Sequence, residues 1–251
     1  MKLRLLLIFL ILCAHVRVMA QVGEHRNDLA IGVNGGYLFN RVSFNPTVKQ
    51  AWKGGETFGI TLRYTCEKYF SAFCAIQTEI NYANMGWKEV IETSDDTYSR
   101  DMRYVQMPIF ARLAWGKERR GVQGFFQVGP QLGYFLSQTE HYGGEFSEAT
   151  LRRRPGGVYQ QYGKEVERKF EYGIVGGLGM EVNTGIGHFS LEGRYFFALS
   201  DIFNNGKQDP FGRSANGAIY VKVGYAYDVI KTKLSRPAVK ASPEAPASME
   251  P

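Results

Sequence analysis

The sequence predicts an all-β chain built as one eight-stranded antiparallel transmembrane β-barrel. Three observations predict it. Apolar and polar residues alternate with a period of two in eight separate segments. Each segment runs for about ten residues or more, the length a tilted strand needs to cross a bilayer. The connections between the segments alternate between short and long.

The chain opens with Lys2 and Arg4, the apolar run LLLIFLILCA and the small-residue stretch Val18-Met19-Ala20 before Gln21. That order of charge, apolar run and small residues predicts a secretory signal over 1–20. The run is too short to span a bilayer as a helix, which takes about 20 residues. Gln21 is not a cysteine, so no lipoprotein-type anchor is indicated. Removing the signal takes out Lys2, Arg4 and Arg17 and leaves 27 basic against 24 acidic residues, a net charge of +3 rather than +6. Near-neutral balance and export both argue against a nucleic-acid partner. Cys13 leaves with the signal, and His25, His141 and His188 are scattered. A zinc site needs four ligands at suitable spacing, so no metal and no other cofactor is expected.

Residues 21–28 are expected to be a short N-terminal segment, 29–230 the barrel and 231–251 a tail. The first strand, about 29–39, carries Ile31, Val33, Tyr37 and Phe39 on one face. The second and third, about 56–66 and 72–86, show Phe58, Ile60, Leu62 and Tyr64, then Ile76, Ile80 and Tyr82. The fourth sets Val105, Met107, Ile109, Leu113 and Trp115 against Tyr104, Gln106 and Arg112. The fifth sets Phe126, Val128, Pro130, Leu132 and Tyr134 against Gln127, Gly129, Gln131 and Gly133. In the sixth, GIVGGLG (173–179) imitates a phosphate-binding loop, but the alternation runs straight through it from Phe170 to Val182 with no helix following, so it is strand. The seventh opposes Phe189, Leu191, Tyr195, Phe197 and Leu199 to His188, Ser190, Glu192, Arg194 and Ser200. The eighth opposes Ile219, Val221, Val223, Tyr225 and Tyr227 to Tyr220, Lys222, Gly224 and Asp228.

EKYFS, GKERRG and NTGIG are short connections, and the others are longer, the largest being about 138–168. A barrel with periplasmic termini has short periplasmic turns and long extracellular loops. A soluble carrier barrel alternates too, with its apolar face inward. Two features favour apolar-out. Aromatic residues fall at both ends of the apolar faces, as two girdles. The opposite faces carry Arg63, Glu79, Arg112, Glu171, Glu181, Glu192, Arg194 and Lys222, expected to pair as an ion network in the barrel interior. A basic residue facing lipid at mid-membrane would cost about 2–4 kcal/mol. Pro108 and Pro130 remove ladder donors, so a bulge is expected at each.

The stretches YVQMPIFARLAW (104–115), QVGPQLGYFL (127–136), GIVGGLGMEV (173–182), LEGRYFFALSDI (191–202) and VKVGYAYDV (221–229) resemble the PorT-like outer-membrane β-barrel family of Gram-negative bacteria. The resemblance covers about 29–230. It implies an integral outer-membrane location and this fold, with some relatives serving as accessory parts of type IX protein secretion. The end of the eighth strand also resembles the signal that outer-membrane assembly machinery reads, with Lys222, Gly224, Tyr227 and Val229 at the matching positions. Here residues 231–251 continue past it. That tail, rich in Pro, Ala and charge, is expected to be disordered in the periplasm, as a solvated extension or a docking segment for a partner.

No enzyme is expected. His188, Ser190 and Glu192 share a face of one strand, but same-face neighbours lie about 6.5–7 Å apart, beyond the about 2.6–3.2 Å between a nucleophile and its base. Eight strands enclose a space that side chains just fill, so a narrow pore is the runner-up and a lipid-modifying barrel comes behind it. The favoured role is surface-binding, structural or secretion-accessory. The longest loop offers Arg152, Arg153, Arg154, Lys164, Arg168 and Lys169, which either are solvated or bind anions such as the phosphates of lipopolysaccharide. Trp52 offers one aromatic contact. Cys66 and Cys74 flank a short turn on one face, which allows a cross-hairpin disulfide or two free thiols.

Overall fold

The computed structural model describes residues 23–232 apart from Thr93, Arg119, 145–154 and Gln208. The predicted signal, all but two residues of the tail, and Arg152, Arg153 and Arg154 lie outside the described residues. Nine strands follow one another: β1 (Glu24–Asn45), β2 (Gln50–Ala51), β3 (Lys53–Tyr69), β4 (Ala72–Glu89), β5 (Thr97–Gly116), β6 (Gly121–Gly143), β7 (Phe170–Asn183), β8 (His188–Ala198) and β9 (Arg213–Ile230). The two-residue β2 pairs only with the end of β4. The other eight close into a ring in the order β4-β3-β1-β9-β8-β7-β6-β5 and back to β4, every neighbour antiparallel.

The ring has a shear of ten. Asp28 is paired with Thr65, and the row continues through Ala75, Arg112, Gln127, Gly177, Arg194 and Tyr220 to Leu38, ten positions further along β1. Such a stagger tilts the strands and sets which inward residues share a level.

Three connections at one end are tight: Phe70 and Ser71, then 117–120, then 184–187. Phe70 takes a left-handed φ of 51° there and is 81% exposed, a conformation that costs a residue with a Cβ about 1–2 kcal/mol. At the opposite, loop end only two connections are long, 144–169 and 199–212; the other two take seven residues each, one enclosing β2. A short 3₁₀ helix, Pro155–Gln161, lies in the first long loop.

Several boundaries differ from the sequence expectation, among them the end of β1 at Asn45 rather than near 39 and the start of β5 at Thr97 rather than near 104. β1 starts at Glu24, not near 29, because Glu24 and His25 pair with Lys68 and Glu67 across a bulge. β9 starts at Arg213, not near 219, because the loop-end half of β1 gives it a partner down to Asn45. Thr232 is tied to β1, its amide donating to Asp28 Oδ1 at 2.5 Å and its hydroxyl accepting from the Asn27 amide at 2.8 Å.

The prolines are accommodated without the expected bulges. Register is constant through both sites, and the one shift between β5 and β6 lies at Arg103/Tyr104. The ladder is instead interrupted: pairing on β6 steps from Pro108↔Gln131 to Ala111↔Val128, and pairing on β4 from Thr78↔Ile109 to Asn81↔Gln106. A short gap releases the missing donor and keeps the inward and outward faces in phase, which a bulge would not.

The apolar faces point outward. Ile31, Val33, Ile60, Ile76, Ile80, Leu178, Leu191 and Val223 are all exposed, and the expected charged residues are buried. Toward the loop end the pattern inverts. On β5 the outward series runs from Leu113, Ile109 and Val105 to Arg103, and on β1 from Ile31 and Val33 through Tyr37 and Phe39 to Arg41, Ser43 and Asn45. Over the same stretch the inward residues turn apolar: Leu38, Val42, Phe44, Met85, Trp87, Tyr98, Met102 and Tyr104 form one buried cluster. Apolar-out marks the part facing hydrocarbon and apolar-in the part facing water. Strands of 17 to 23 residues, in β1, β3, β4, β5, β6 and β9, are long enough for both.

Candidate functional site

Seven of the eight expected interior charges form two clusters. In the first, Glu181 of β7 holds Arg63 Nη1 at 2.5 Å and Arg112 Nη2 at 2.9 Å. In the second, Glu79 of β4 receives Arg194 Nη1 and Nη2 at 2.8 and 2.6 Å and Lys222 Nζ at 3.2 Å. Arg194 also contacts Glu192, which accepts from Gln127 at 2.8 Å. Gln77 and Asn81 complete the shell of Glu79 at 2.8 and 2.9 Å. Buried charges persist only when paired and hydrogen-bonded, and these meet that condition. Glu171 departs from the expected network. It accepts from Asn216 at 2.6 Å, nearer the loop end, and belongs to neither cluster.

The clusters cross the lumen. β4 and β8 stand four strands apart in both directions round the ring, as do β3 and β7, so Glu79–Arg194 and Arg63–Glu181 are diametric struts. A third crossing joins Tyr220 Oη of β9 to Gln106 Oε1 of β5 at 3.1 Å. Two small cavities stand in the lumen among the described residues: one of about 60 Å³ at the turn end, lined by Arg63, Arg112, Glu118, His188 and Asp228 among others, and one of about 20 Å³ beneath Glu79 and Glu192. These hold a few waters and about one, respectively.

The loop end is sealed by a plug that the sequence reading missed. Phe203 and Phe211 of the 199–212 loop are fully buried and pack on Phe44, Phe203 stacked with centroids at 6.3 Å and Phe211 tilted at 5.1 Å. Arg100, also fully buried, ties the parts together. Its Nε donates to Tyr98 Oη at 3.0 Å, Nη1 to Lys164 O at 2.6 Å and Nη2 to Gln161 O at 2.8 Å. It pairs with Glu140 and lies 4.9 Å over Trp87 and 5.8 Å over Phe203. Trp87 Nε1 donates to Gln161 Oε1 at 2.8 Å. The available signal was the alternation Tyr98, Arg100, Met102, Tyr104, which extends the fourth strand beyond the length a membrane requires.

The basic loop is partly committed. Arg168 donates to Asn204 and Asn205 at 3.4 and 2.9 Å, and its amide to Ile202 O at 3.1 Å. Lys164 pairs with Glu167 at 3.2 Å and Asp209 at 3.7 Å. Glu167 accepts from the Asn204 amide at 2.6 Å, which, with Lys164, holds its carboxyl below the usual carboxylate range. Lys169 stays exposed while its carbonyl accepts from the Phe135 amide at 2.7 Å.

His188, Ser190 and Glu192 do not assemble. The His188 ring spends its nitrogens on Asn183 Oδ1 at 2.6 Å and Asp228 Oδ2 at 2.8 Å. Cys66 and Cys74 stand as free thiols, with Cys66 Sγ 3.2 Å from the Cys74 carbonyl. No disulfide joins them in this structure, where a bulge between Thr65 and Glu67 takes Cys66 out of the ladder and leaves Cys74 opposite Glu67. Of the assembly-signal positions, Lys222 is buried on Glu79, Gly224 faces Ser190, and Tyr227 and Val229 are exposed outward. Among the described residues no group of three or more His, Cys, Asp or Glu could hold a metal ion.

Among curated proteins, none matches this sequence. Solved structures similar to it are small barrels. OprG of Pseudomonas aeruginosa is 12% identical over 82% of this chain and 98% of its own, with a TM-score of 0.47. Neisserial surface protein A is 11% identical over 78% and 96%, at 0.41. Ail, the attachment invasion locus protein of Yersinia pestis, is 13% identical over 81% and 99%, at 0.34. The family model described as outer membrane protein beta-barrel domain matches residues 19–204. With lipid-facing strands closed into a ring of eight, the chain belongs to that outer-membrane β-barrel family and is an integral protein of the outer membrane.

Proposed function

We propose that this protein is a non-catalytic surface scaffold, a closed barrel that fixes its loop end at the cell surface and keeps its turn end and both termini in the periplasm. The observation that carries this reading is the filled lumen: diametric ion pairs block the middle, and the aromatic plug held by Arg100 blocks the loop end. A pore would need both to open. The plug also orders the 199–212 loop and the 162–169 segment against one another, giving a defined surface on which a partner can dock. The assembly machinery would read the β9 end. The secretion-accessory role implied by the resemblance to PorT-like barrels is one use of such a surface, with the tail as a second contact on the periplasmic side.

The test combines planar-bilayer recordings of the refolded protein with protease treatment of intact cells. Absence of stepwise conductance, together with external cleavage within 144–169, is expected. Regular conductance steps from the intact protein would overturn the scaffold in favour of the pore. Cleavage only after the outer membrane is breached would invert the orientation.

A further inference from the structure

A cleft of about 160 Å³ opens on the outside of the barrel at the loop end, lined by Arg41, Ser43, Trp52, Tyr195, Phe197 and Gly217. It exists because of one glycine. Arg41 of β1, Gly217 of β9 and Phe197 of β8 lie in one row across three strands, and the middle position faces outward without a side chain. About 150 Å³ is the size that admits a benzene-sized group elsewhere, so the cleft accepts a ligand group of several heavy atoms.

One guanidinium group, that of Arg41, lines the cleft, and a second, that of Arg213, stands beside it. Arg41 lies 5.2 Å over the Trp52 ring, and Arg213, beside the cleft, lies 5.6 Å over Phe197. Neither has a carboxylate partner among the described residues. Stacking fixes the plane of each group and leaves its N–H edge for an acceptor, the geometry that suits bidentate phosphate. The one outward carboxylate on the loop-end half of β3, Glu56, is registered with Tyr37, four residues along β1 from Arg41.

The level of the cleft identifies the occupant. Along β1 the outward residues pass from Ile31 and Val33 through Tyr37 and Phe39 to Arg41, and along β9 from Val221 and Ile219 to Gly217 and Arg213. The β1 series runs from aliphatic through aromatic to arginine, and the β9 series runs from aliphatic through Gly217, with the aromatic Phe197 of β8 beside it, to arginine; this is the order of acyl chain, interface and headgroup. We propose that this cleft binds a phosphorylated headgroup of a glycolipid in the surrounding leaflet, its acyl chains lying on the Ile219–Val221 strip. This rests on the protein's place in the outer membrane with its loop end outward.

The test is native mass spectrometry of the full-length refolded protein in detergent with bis-phosphorylated lipid A as probe. Wild-type protein should retain the lipid. The double variant Arg41→Gln/Arg213→Gln should lose retention at least about tenfold, the loss of one good charged contact. Gly217→Leu should do the same with both charges intact; a Cβ there meets Tyr195 Oη at 3.6 Å and Arg41 O at 3.8 Å, ordinary contacts, so the strand tolerates it. Heat-modifiable gel migration certifies folding of each variant. Arg103→Gln, an outward arginine on β5, should leave retention unchanged. Unchanged retention in either cleft variant, an equal loss in Arg103→Gln, equal retention of dephosphorylated lipid A, or displacement by equimolar inorganic phosphate would each overturn the proposal. Retention is measured on the isolated barrel, so its failure leaves the closed scaffold standing, and the conductance experiment fails or succeeds independently.

Discussion

Arg194 grips Glu79 with both terminal nitrogens, Nη1 to Oε2 at 2.8 Å and Nη2 to Oε1 at 2.6 Å, across the full width of the ring from β8 to β4. A fork-to-carboxylate bridge of this kind is stiff. Placed on a diameter, it closes the lumen and braces opposite walls together.

Removing one member of a buried pair leaves its partner charged and unpaired, which costs about 3–5 kcal/mol. Glu79 serves two cations, Arg194 and Lys222, whereas Glu192 serves Arg194 alone. Glu79→Gln is therefore expected to destabilise by that amount, and by more than Glu192→Gln, in urea unfolding from lipid vesicles. Equal losses would mean that Lys222 finds another acceptor.

Arg100→Met should keep the barrel and free the plug. The substitution removes donors to two carbonyls that belong to the loop, Gln161 O and Lys164 O. Hydrogen bonds from a charged donor contribute about 1.5–3 kcal/mol each. Tryptic cleavage after Lys164, Arg168 and Lys169 should then accelerate about tenfold or more, while heat-modifiable migration persists. Unchanged cleavage would show that the aromatic contacts alone hold the loop.

Acid should loosen the contact between the two long loops. The Glu167 carboxyl is held below its usual range, chiefly by the Asn204 amide, so its contribution is present at neutral pH and is lost as pH falls through the lowered folded value. Hydrogen exchange of the Asn204 amide should rise only below the ordinary carboxylate range. Glu167→Gln should abolish that pH dependence; a profile unchanged by the substitution would assign it to another group.

Glycines on the two faces of β6 differ in what they permit: Gly129 faces inward and Gly124 is exposed outward. A Cβ at Gly129 would fall on the Ile109 carbonyl, at the ladder gap beside Pro108, whereas one at Gly124 would meet nothing within 4 Å. Gly129→Ala should cost about 1–3 kcal/mol through overpacking; Gly124→Ala should be near neutral. Comparable folding yields for the two would show that the gap can widen.

Much of this molecule was legible in the residue order because a membrane strand obeys a local rule. Lipid on one side and packed charge on the other force a period of two, so Ile174 and Glu181 on β7, or Leu191 and Arg194 on β8, announce their faces without reference to any partner. The missed loop-end boundaries and the missed plug lie where that rule stops. Beyond Arg103 and Arg41 the strands enter water, apolar residues turn inward, and Phe203 and Phe211 read as loop residues until β1 and β4 supply Phe44 and Trp87 beneath them. The bulges expected at Pro108 and Pro130 failed for a related reason, since only the neighbouring strands determine whether a missing donor is met by a bulge or by a gap.

Alternation, segment length, the aromatic girdles and the charged opposite faces pointed from the sequence to eight strands crossing the membrane apolar-out with eight charges paired inside; the structure pairs seven of them and sets Glu171 apart. Which charge meets which was decided by the tertiary structure alone. A shear of ten sets the height of each inward residue, and closure of the ring brings β4 opposite β8 and β3 opposite β7. Glu79 therefore meets Arg194, 115 residues later in the chain, Cys66 is turned off its ladder, and Arg41 comes to share an outward row with Gly217 and Phe197. Those pairings are long-range consequences of register, and register is a property of the closed ring.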